Sequence, residues 1–282
     1  MSPPVWDRLM DLRGATILLT GATDGIGRET ARRLAGQAQT LLVHGPQPPE
    51  AVRDLVAELR SRAQSPERTI YLQADYAELA QVRRLAAEVH ELTDHLDLLV
   101  NNAGRAGPGA RTVSRDGNEV TLQTNYLAAV ALTESALDLM RGRRPSRILN
   151  VASATHASAT LHLDDLNLEH HPYSPVIAYS QSKLALVTYT CWLAARLRGS
   201  SCRAVSLHPG VIDTRLLRTL FGMGGDPASR GAANIIHAAT AADGNGAYFD
   251  EQSLSRPHPD ALDPKVQERL QRVTEGLLTP SR

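Results

Sequence analysis

The stretch AYSQSKLA (178–185) places Tyr179 four residues before Lys183, one of two lysines in a chain whose other cations, apart from Lys265, are arginine. Positions four apart on an α-helix stand one above the other on a single face, so phenol and amine share a surface. A free phenol titrates at about pH 10, too high for ready proton exchange at neutral pH, and a cation one turn away favours the phenolate. The pair therefore reads as a proton-transfer couple in which Lys183 supplies the cation. A helix face that only packs, with the amine snorkelling to water, is the alternative.

Two further stretches have the residue types for holding a phosphate-bearing ligand. TGATDGIG (20–27) contains Gly21, Gly25 and Gly27 between an apolar run and a helical pattern. Glycines there allow a tight turn and let the backbone approach a pyrophosphate, whose charge the N-terminus of the next helix stabilises. NNAG (101–104) ends another apolar run, and Asp75 ends a third, placed either to accept from an adenine amino group or to cap the chain locally. Asn and Gly also occur in polar turns for local reasons alone.

These residues need a scaffold that brings run ends together. The runs 15–20, 39–45, 68–75, 97–104, 146–153 and 202–210 are almost continuously apolar, as strands buried on both faces must be. Between them, 78–93 and 120–140 repeat apolar residues at helical spacing, supplying the crossovers that parallel strands require. The expectation is an α/β fold, a Rossmann-type doubly wound parallel sheet in one domain spanning 1–282, with ligands at the carboxyl ends of the strands. No linker, low-complexity tract or internal repeat divides it.

Composition limits the classes of function. With 282 residues, 42% of them hydrophobic, the core is ample, and 30 basic against 30 acidic residues leave no charge footprint for nucleic acid or an anionic membrane. Two cysteines, Cys191 and Cys202, make no disulfide framework, which points to a reducing, cytoplasmic setting. The opening MSPPVWDRLMDLRG has no basic start followed by an apolar run, so neither a signal peptide nor a membrane anchor is expected there. His170 and His171 beside Glu169 lie in a Pro-containing loop with poor ligand spacing, and no metal is expected.

In order along nearly the whole chain, TGATDGIG, Asp75, NNAG, Asn125 in LQTNYLAAVALT, Ser153 in NVAS, Tyr179 and Lys183 in YSQSK, and PGVIDT (209–214) resemble the short-chain dehydrogenase/reductase family. The long segment between Ser153 and Tyr179, and the late NGAYFDEQ (245–252), are similar to its retinol dehydrogenase-like group. The resemblance implies that Tyr179 is the general acid in carbonyl reduction, or the base in alcohol oxidation. It further implies that Lys183 also bonds the nicotinamide ribose, that Ser153 polarises the carbonyl and that Asn125 keeps a water in a proton relay. Cofactor contacts then fall on Gly21, Thr23, Asp24, Gly25, Ile26, Gly27, Asp75, Tyr76, Asn102, Ala103, Gly104, Tyr179, Lys183, Pro209, Gly210, Val211 and Thr214.

In this fold an acid at the end of the second strand binds the adenosine ribose hydroxyls, and a nearby arginine accommodates a 2′-phosphate. Here Gly45 and Pro46 stand at those places, so the main repulsion against a phosphate is missing and NADP(H) is favoured over NAD(H). Asp24 argues the other way, and Arg28 and His44 are the compensating candidates. The expected activity is hydride transfer between nicotinamide and a carbonyl or alcohol of a hydrophobic small molecule of retinoid, steroid or polyketide type. Its pocket is expected from 154–176 and 211–228, with Gly222, Gly224 and Gly225 in a mobile lid or a plain surface loop. The competing readings are a catalytically silent dinucleotide-binding sensor or scaffold, and a nucleotide-sugar epimerase or dehydratase, against which the short tail argues. The apolar stretch 184–197 serves either a homodimer contact or the core.

Overall fold

The computed structural model describes residues 10–142, 144–242 and 244–279. The opening segment therefore lies mostly outside the described residues. Among those described, no helix is long and apolar enough to cross a membrane.

Eight strands form one sheet: β1 (Thr16–Leu19), β2 (Thr40–Gly45), β3 (Thr69–Gln73), β4 (Leu98–Asn101), β5 (Ser146–Val151), β6 (Cys202–His208), β7 (Tyr248–Asp250) and β8 (Ser253–Ser255). Their spatial order is β3-β2-β1-β4-β5-β6-β7-β8, parallel except for β8, which returns antiparallel on β7. The six apolar runs became β1 to β6. The last two strands, each three residues long, were not anticipated.

Alternate residues of each strand feed opposite faces. Leu18, Leu42, Leu99 and Ile148 enter one core with α3 (Leu79–Leu92), α5 (Ala128–Met140), α6 (Pro175–Arg196) and α10 (Pro264–Leu278). Ile17, Leu19, Leu41, Val43, Leu98 and Val100 enter the other with α1 (Gly25–Ala35), α2 (Arg53–Arg62) and α8 (Ala228–Thr240). This period-two division, with both faces apolar, is what a sheet covered by helices on each side demands. Among the described residues there are also three short α-helices: α4 (Val120–Leu122), which continues through a π-helical turn (Gln123–Leu127) into α5, then α7 (Arg215–Phe221) and α9 (Pro259–Leu262).

One buried charge braces the sheet. Arg147 of β5 donates from Nη1 to Ala238 O at 2.6 Å and from Nη2 to Ala241 O at 2.7 Å, meeting the unpaired carbonyls at the C-terminus of α8. Helix α6 is buried at every position from Ala178 to Thr190 and packs on α10. Of the two uses open to 184–197, this chain puts most of its apolar residues into its own core.

The strand order reverses between β1 and β4. Their carboxyl ends are the switch point where ligands of doubly wound folds bind, and the chemistry-bearing residues gather there.

Candidate active site

The glycine turn is built so tightly that other residues would not fit. A Cβ on Gly27 would stand 1.9 Å from Gly21 O, and one on Gly21 would stand 2.7 Å from Ala103 Cα, where Gly21 also has φ 65°. Asn102 holds the two βα turns together: Nδ2 donates to Thr20 O at 2.9 Å and to Gly21 O at 3.0 Å. Thr20 Oγ1 returns the grip by accepting from the N–H groups of Asn102 and Ala103, each at 3.0 Å. Asp24 caps α1, accepting from Gly25 N at 2.8 Å. Ile26 packs its side chain against Gly231 of α8, so it serves helix packing.

His44 supports this turn from below and does not serve as a phosphate-binding cation. It is buried, its Nδ1 accepts from Gly21 N at 3.3 Å, Nε2 donates to Ala74 O at 2.9 Å, and Tyr76 stacks on its ring at 4.4 Å. Burial pulls its pKa down to about 4, so the ring is neutral. Tyr76 is correspondingly a buried support, and Asp75 caps locally through Oδ1, which accepts from Ala77 N at 2.9 Å. At the end of β2, a Cβ on Gly45 would stand 2.4 Å from Thr23 Cγ2. Close packing with Thr23 therefore explains why no acid stands there. Near this place Gln47 Oε1 is buried without a partner, as is Arg28 Nε on α1. Arg28 Nη2 reaches Glu58 only at 3.8 Å.

The residues expected to transfer a proton meet at the carboxyl ends of β4 and β5. Lys183 Nζ donates to Val151 O at 2.8 Å and lies 5.7 Å from the centre of the Tyr179 ring. Gly104 lies against both groups: a Cβ there would be 3.5 Å from that Nζ and 3.4 Å from Asn125 Oδ1. The expected depression of the phenol does not occur in this arrangement. Burial pushes Tyr179 up to about 12, against a smaller opposing effect from its hydrogen bond with the Ser153 hydroxyl, and burial also pulls Lys183 down to about 8. In a dry site desolvation penalises both charged forms, and burial is the largest influence on each group. Tyr179 is therefore a protonated acid at neutral pH.

Asn125 sits in the π-helical turn, a deviation that recurs at functional sites. Its side chain does not bond within its own helix. Oδ1 accepts from Arg105 N at 2.8 Å, while Nδ2 donates to Arg105 O and to Ser182 Oγ, both at 3.1 Å. Ser182 Oγ donates to Tyr179 O at 2.7 Å. Asn125 thus clamps the chain after NNAG to the Tyr179 helix.

Pro209, Gly210, Val211 and Thr214 follow β6 to the same edge. Pro209 O accepts from Asn234 Nδ2 at 3.0 Å, Gly210 has φ 99° and Val211 is exposed. Thr214 caps α7 through Oγ1, and its Cγ2 lies against Gly25. The segment 211–228 contains α7 and is pinned at its base by the Ile212 to Asp226 bridge. Exposed Val211, Phe221 and Met223 come from this segment, and exposed Val176 and Ile177 from the start of α6. In the other loop Asp165 accepts from the N–H groups of Glu169, His170 and His171 and from His171 Nδ1, all between 2.8 and 3.0 Å. Burial works to raise its pKa, but these donors more than offset it and hold the carboxyl well below its usual range. His171 is thereby a loop organiser.

The profile of the short chain dehydrogenase family matches residues 15–223. The chain belongs to this family. Human retinol dehydrogenase 13 is 32% identical, over 91% of this chain and 82% of that protein. Mouse polyprenol dehydrogenase is 36% identical, over 98% and 85%. Among solved structures, a Mycobacterium paratuberculosis protein superposes with a TM-score of 0.79 at 29% identity, covering 97% of this chain and 96% of that one. Pseudomonas aeruginosa RhlG, solved as an NADP active-site complex, gives 0.67 at 26% identity over 85% and 95%. The short chain dehydrogenase assignment, with retinol dehydrogenases among its relatives, makes this an NAD(P)-dependent oxidoreductase.

The site fits that cofactor: at Gly21 and Gly27 the turn closes on backbone at distances only glycine allows, and two orphaned polar atoms lie near the end of β2 and on α1. When bound, nicotinamide supplies the hydride. Several supports of the short chain dehydrogenase site escaped sequence reasoning, among them Thr20, Ser182, Arg105 and His44 as a brace. Thr20 lies within TGATDGIG and Ser182 within AYSQSKLA, so position in a motif was a signal for both. Arg105 and His44 act through partners distant in sequence.

Proposed function

We propose that the protein reduces the carbonyl of a hydrophobic ketone or aldehyde, of retinoid, steroid or polyketide type, with NADP(H) preferred to NAD(H). The reading is carried by one observation: a buried phenol lies beside the Ser153 hydroxyl and the Lys183 amine, next to Gly104. Ser153 would donate to the carbonyl oxygen and orient it, and Tyr179 would give that oxygen its proton as charge develops there. Lys183, still largely charged at neutral pH, would stabilise the phenolate left behind. A phenol that is an acid at neutral pH suits reduction; the reverse oxidation needs the phenolate and should gain rate as pH rises.

The apolar side chains of Val176, Ile177, Val211, Phe221 and Met223 support a hydrophobic substrate, since each is exposed on segments bordering the site. The 211–228 segment would act as its cover. Preference for NADP(H) is supported by glycine in place of an acid at position 45 and by the Arg28 guanidinium on α1. The cytoplasm is the proposed setting, in keeping with Cys191 and Cys202 as free thiols.

The test is transfer of deuterium from reduced, 4-deuterated dinucleotide to the carbonyl carbon of retinal, steroid and polyketide ketones. Label in the alcohol product supports the proposal. Dinucleotide binding without transfer to any of them would favour a silent sensor or scaffold instead. The competing nucleotide-sugar reading predicts conversion of UDP-sugars with no net cofactor oxidation.

A further inference from the structure

Ser153 ends the extended chain after β5 and opens a 3₁₀ turn, Ala154–Ser158. His156 lies within that turn at 2% exposure, and two of its groups reach back to the same acceptor. Its backbone N–H donates to Ser153 O at 3.2 Å, and its Nδ1 lies 2.7 Å from that oxygen. On the far side of the ring, Nε2 lies 3.4 Å from His258 N, a backbone group that can only donate. Nε2 must then be the acceptor, which leaves the proton on Nδ1, where the Ser153 carbonyl requires it. Each partner specifies the same neutral tautomer.

The ring is also packed, with its centre 4.7 Å from that of Tyr248, the first residue of β7. A carbonyl held by two donors fixes the peptide plane at Ser153. That plane anchors the Ser153 Cα from which the side chain extends, and Oγ is held in turn by accepting from Thr155 N at 3.3 Å and from Thr155 Oγ1 at 3.2 Å. With those acceptor directions used, the Ser153 O–H remains to donate toward the Tyr179 phenol or a carbonyl.

We infer that His156 is a positioning residue for Ser153: through its Nδ1–H it fixes the serine hydroxyl for work on the carbonyl, and it ties that hydroxyl to the C-terminal segment at His258. This rests on the proposed role of Ser153. The titratable groups that act on the ring are His258, His208 and Asp250, and burial together with the two histidines keeps His156 below its ordinary value. Protonating the ring would set two donors, Nε2–H and His258 N–H, against each other. The device works only while His156 is neutral.

The test compares His156→Leu, which removes the donor, with His156→Asn, whose amide can donate from near the Nδ1 position. For His156→Leu we expect kcat for carbonyl reduction to fall by roughly tenfold to a hundredfold, the scale of a small misplacement of a reacting group. The NADPH dissociation constant should stay within about twofold, in keeping with a loss confined to positioning. His156→Asn should recover most of kcat. A crystal structure of His156→Leu should show Ser153 Oγ displaced from Tyr179. Equal loss in both variants, a defect that falls on NADPH binding, or an unmoved Ser153 Oγ would overturn the assignment. The crystallographic arm needs no turnover, so an inactive wild-type protein would count against the proposed reaction and leave His156 to be judged on where Ser153 stands.

Discussion

The glycine turn proposed as the dinucleotide cradle and the loops proposed as the substrate side of the same sheet edge are held by different means. In the cradle, backbone meets backbone at distances that exclude any side chain, as at Gly27 against Gly21 O. On the substrate side, loops are organised by side chains reaching for backbone: Asp165 gathers three N–H groups, and Arg111 donates to Asn167 O at 2.7 Å. The first design fixes one geometry for a ligand common to the family. The second leaves loop length and side chains free to vary, which is how one fold accepts different substrates.

The sharpest way to break this comparison is Gly27→Ala. Its Cβ would overlap Gly21 O, so the turn must open. Calorimetric titration should show dinucleotide affinity reduced by at least about a hundredfold, and stability should fall by roughly 2–4 kcal/mol, as overpacking at a rigid backbone contact does. Retained affinity would mean that the cradle is softer than its contacts imply.

Lys183→Met separates function from stability. Turnover should be lost, yet the folded protein is relieved of a desolvated ammonium, a cost of about 3 kcal/mol at neutral pH for a pKa lowered from 10.5 to about 8. The orphaned Val151 carbonyl would cancel roughly half of this gain. The sign follows from the unfolded chain, which holds the proton more tightly. In the wild type the Lys183 contribution to stability is least favourable below pH 8 and rises with pH between about 8 and 10.5. Denaturant titrations at several pH values should show that slope in the wild type and lose it in the variant.

Asp165→Asn probes the substrate side. It weakens the donors' shared acceptor while keeping its shape, so stability should fall by about 1 kcal/mol and KM for the carbonyl should rise severalfold, with kcat and dinucleotide affinity little changed. The depressed Asp165 pKa contributes stability that is present above the ordinary carboxylate range and is lost as pH falls through the folded value. The variant should therefore be less sensitive to acid. Smallest of all should be Gly224→Ala: the nearest atom to its added Cβ is Asp213 Oδ1 at 3.9 Å, and the change in melting temperature should be within about one degree, as for an open surface site.

The same contrast explains what the sequence made legible. Strands β1 to β6 were readable because a parallel sheet buried on both faces leaves unbroken apolar runs. Strands β7 and β8 were not, since three residues each carry no pattern; β7 pairs with β6 some forty residues earlier, and β8 only with β7. The i, i+4 spacing exposed Tyr179 and Lys183, but not the directions in which their pKa values move, which burial by distant residues decides. His44 read as a candidate cation at a strand end. Its partner Tyr76, thirty-two residues on, made it a neutral prop.

The central claim is that a protonated Tyr179, aided by Ser153, delivers a proton to a hydrophobic carbonyl. The most direct measurement is NADPH oxidation with a panel of such aldehydes and ketones, wild type beside Tyr179→Phe, with dinucleotide affinity measured in both. The account predicts turnover that falls by at least about a thousandfold in the variant while affinity is kept, the loss expected when an acid and the charge it relieves are both removed. Turnover that survives the substitution would contradict it.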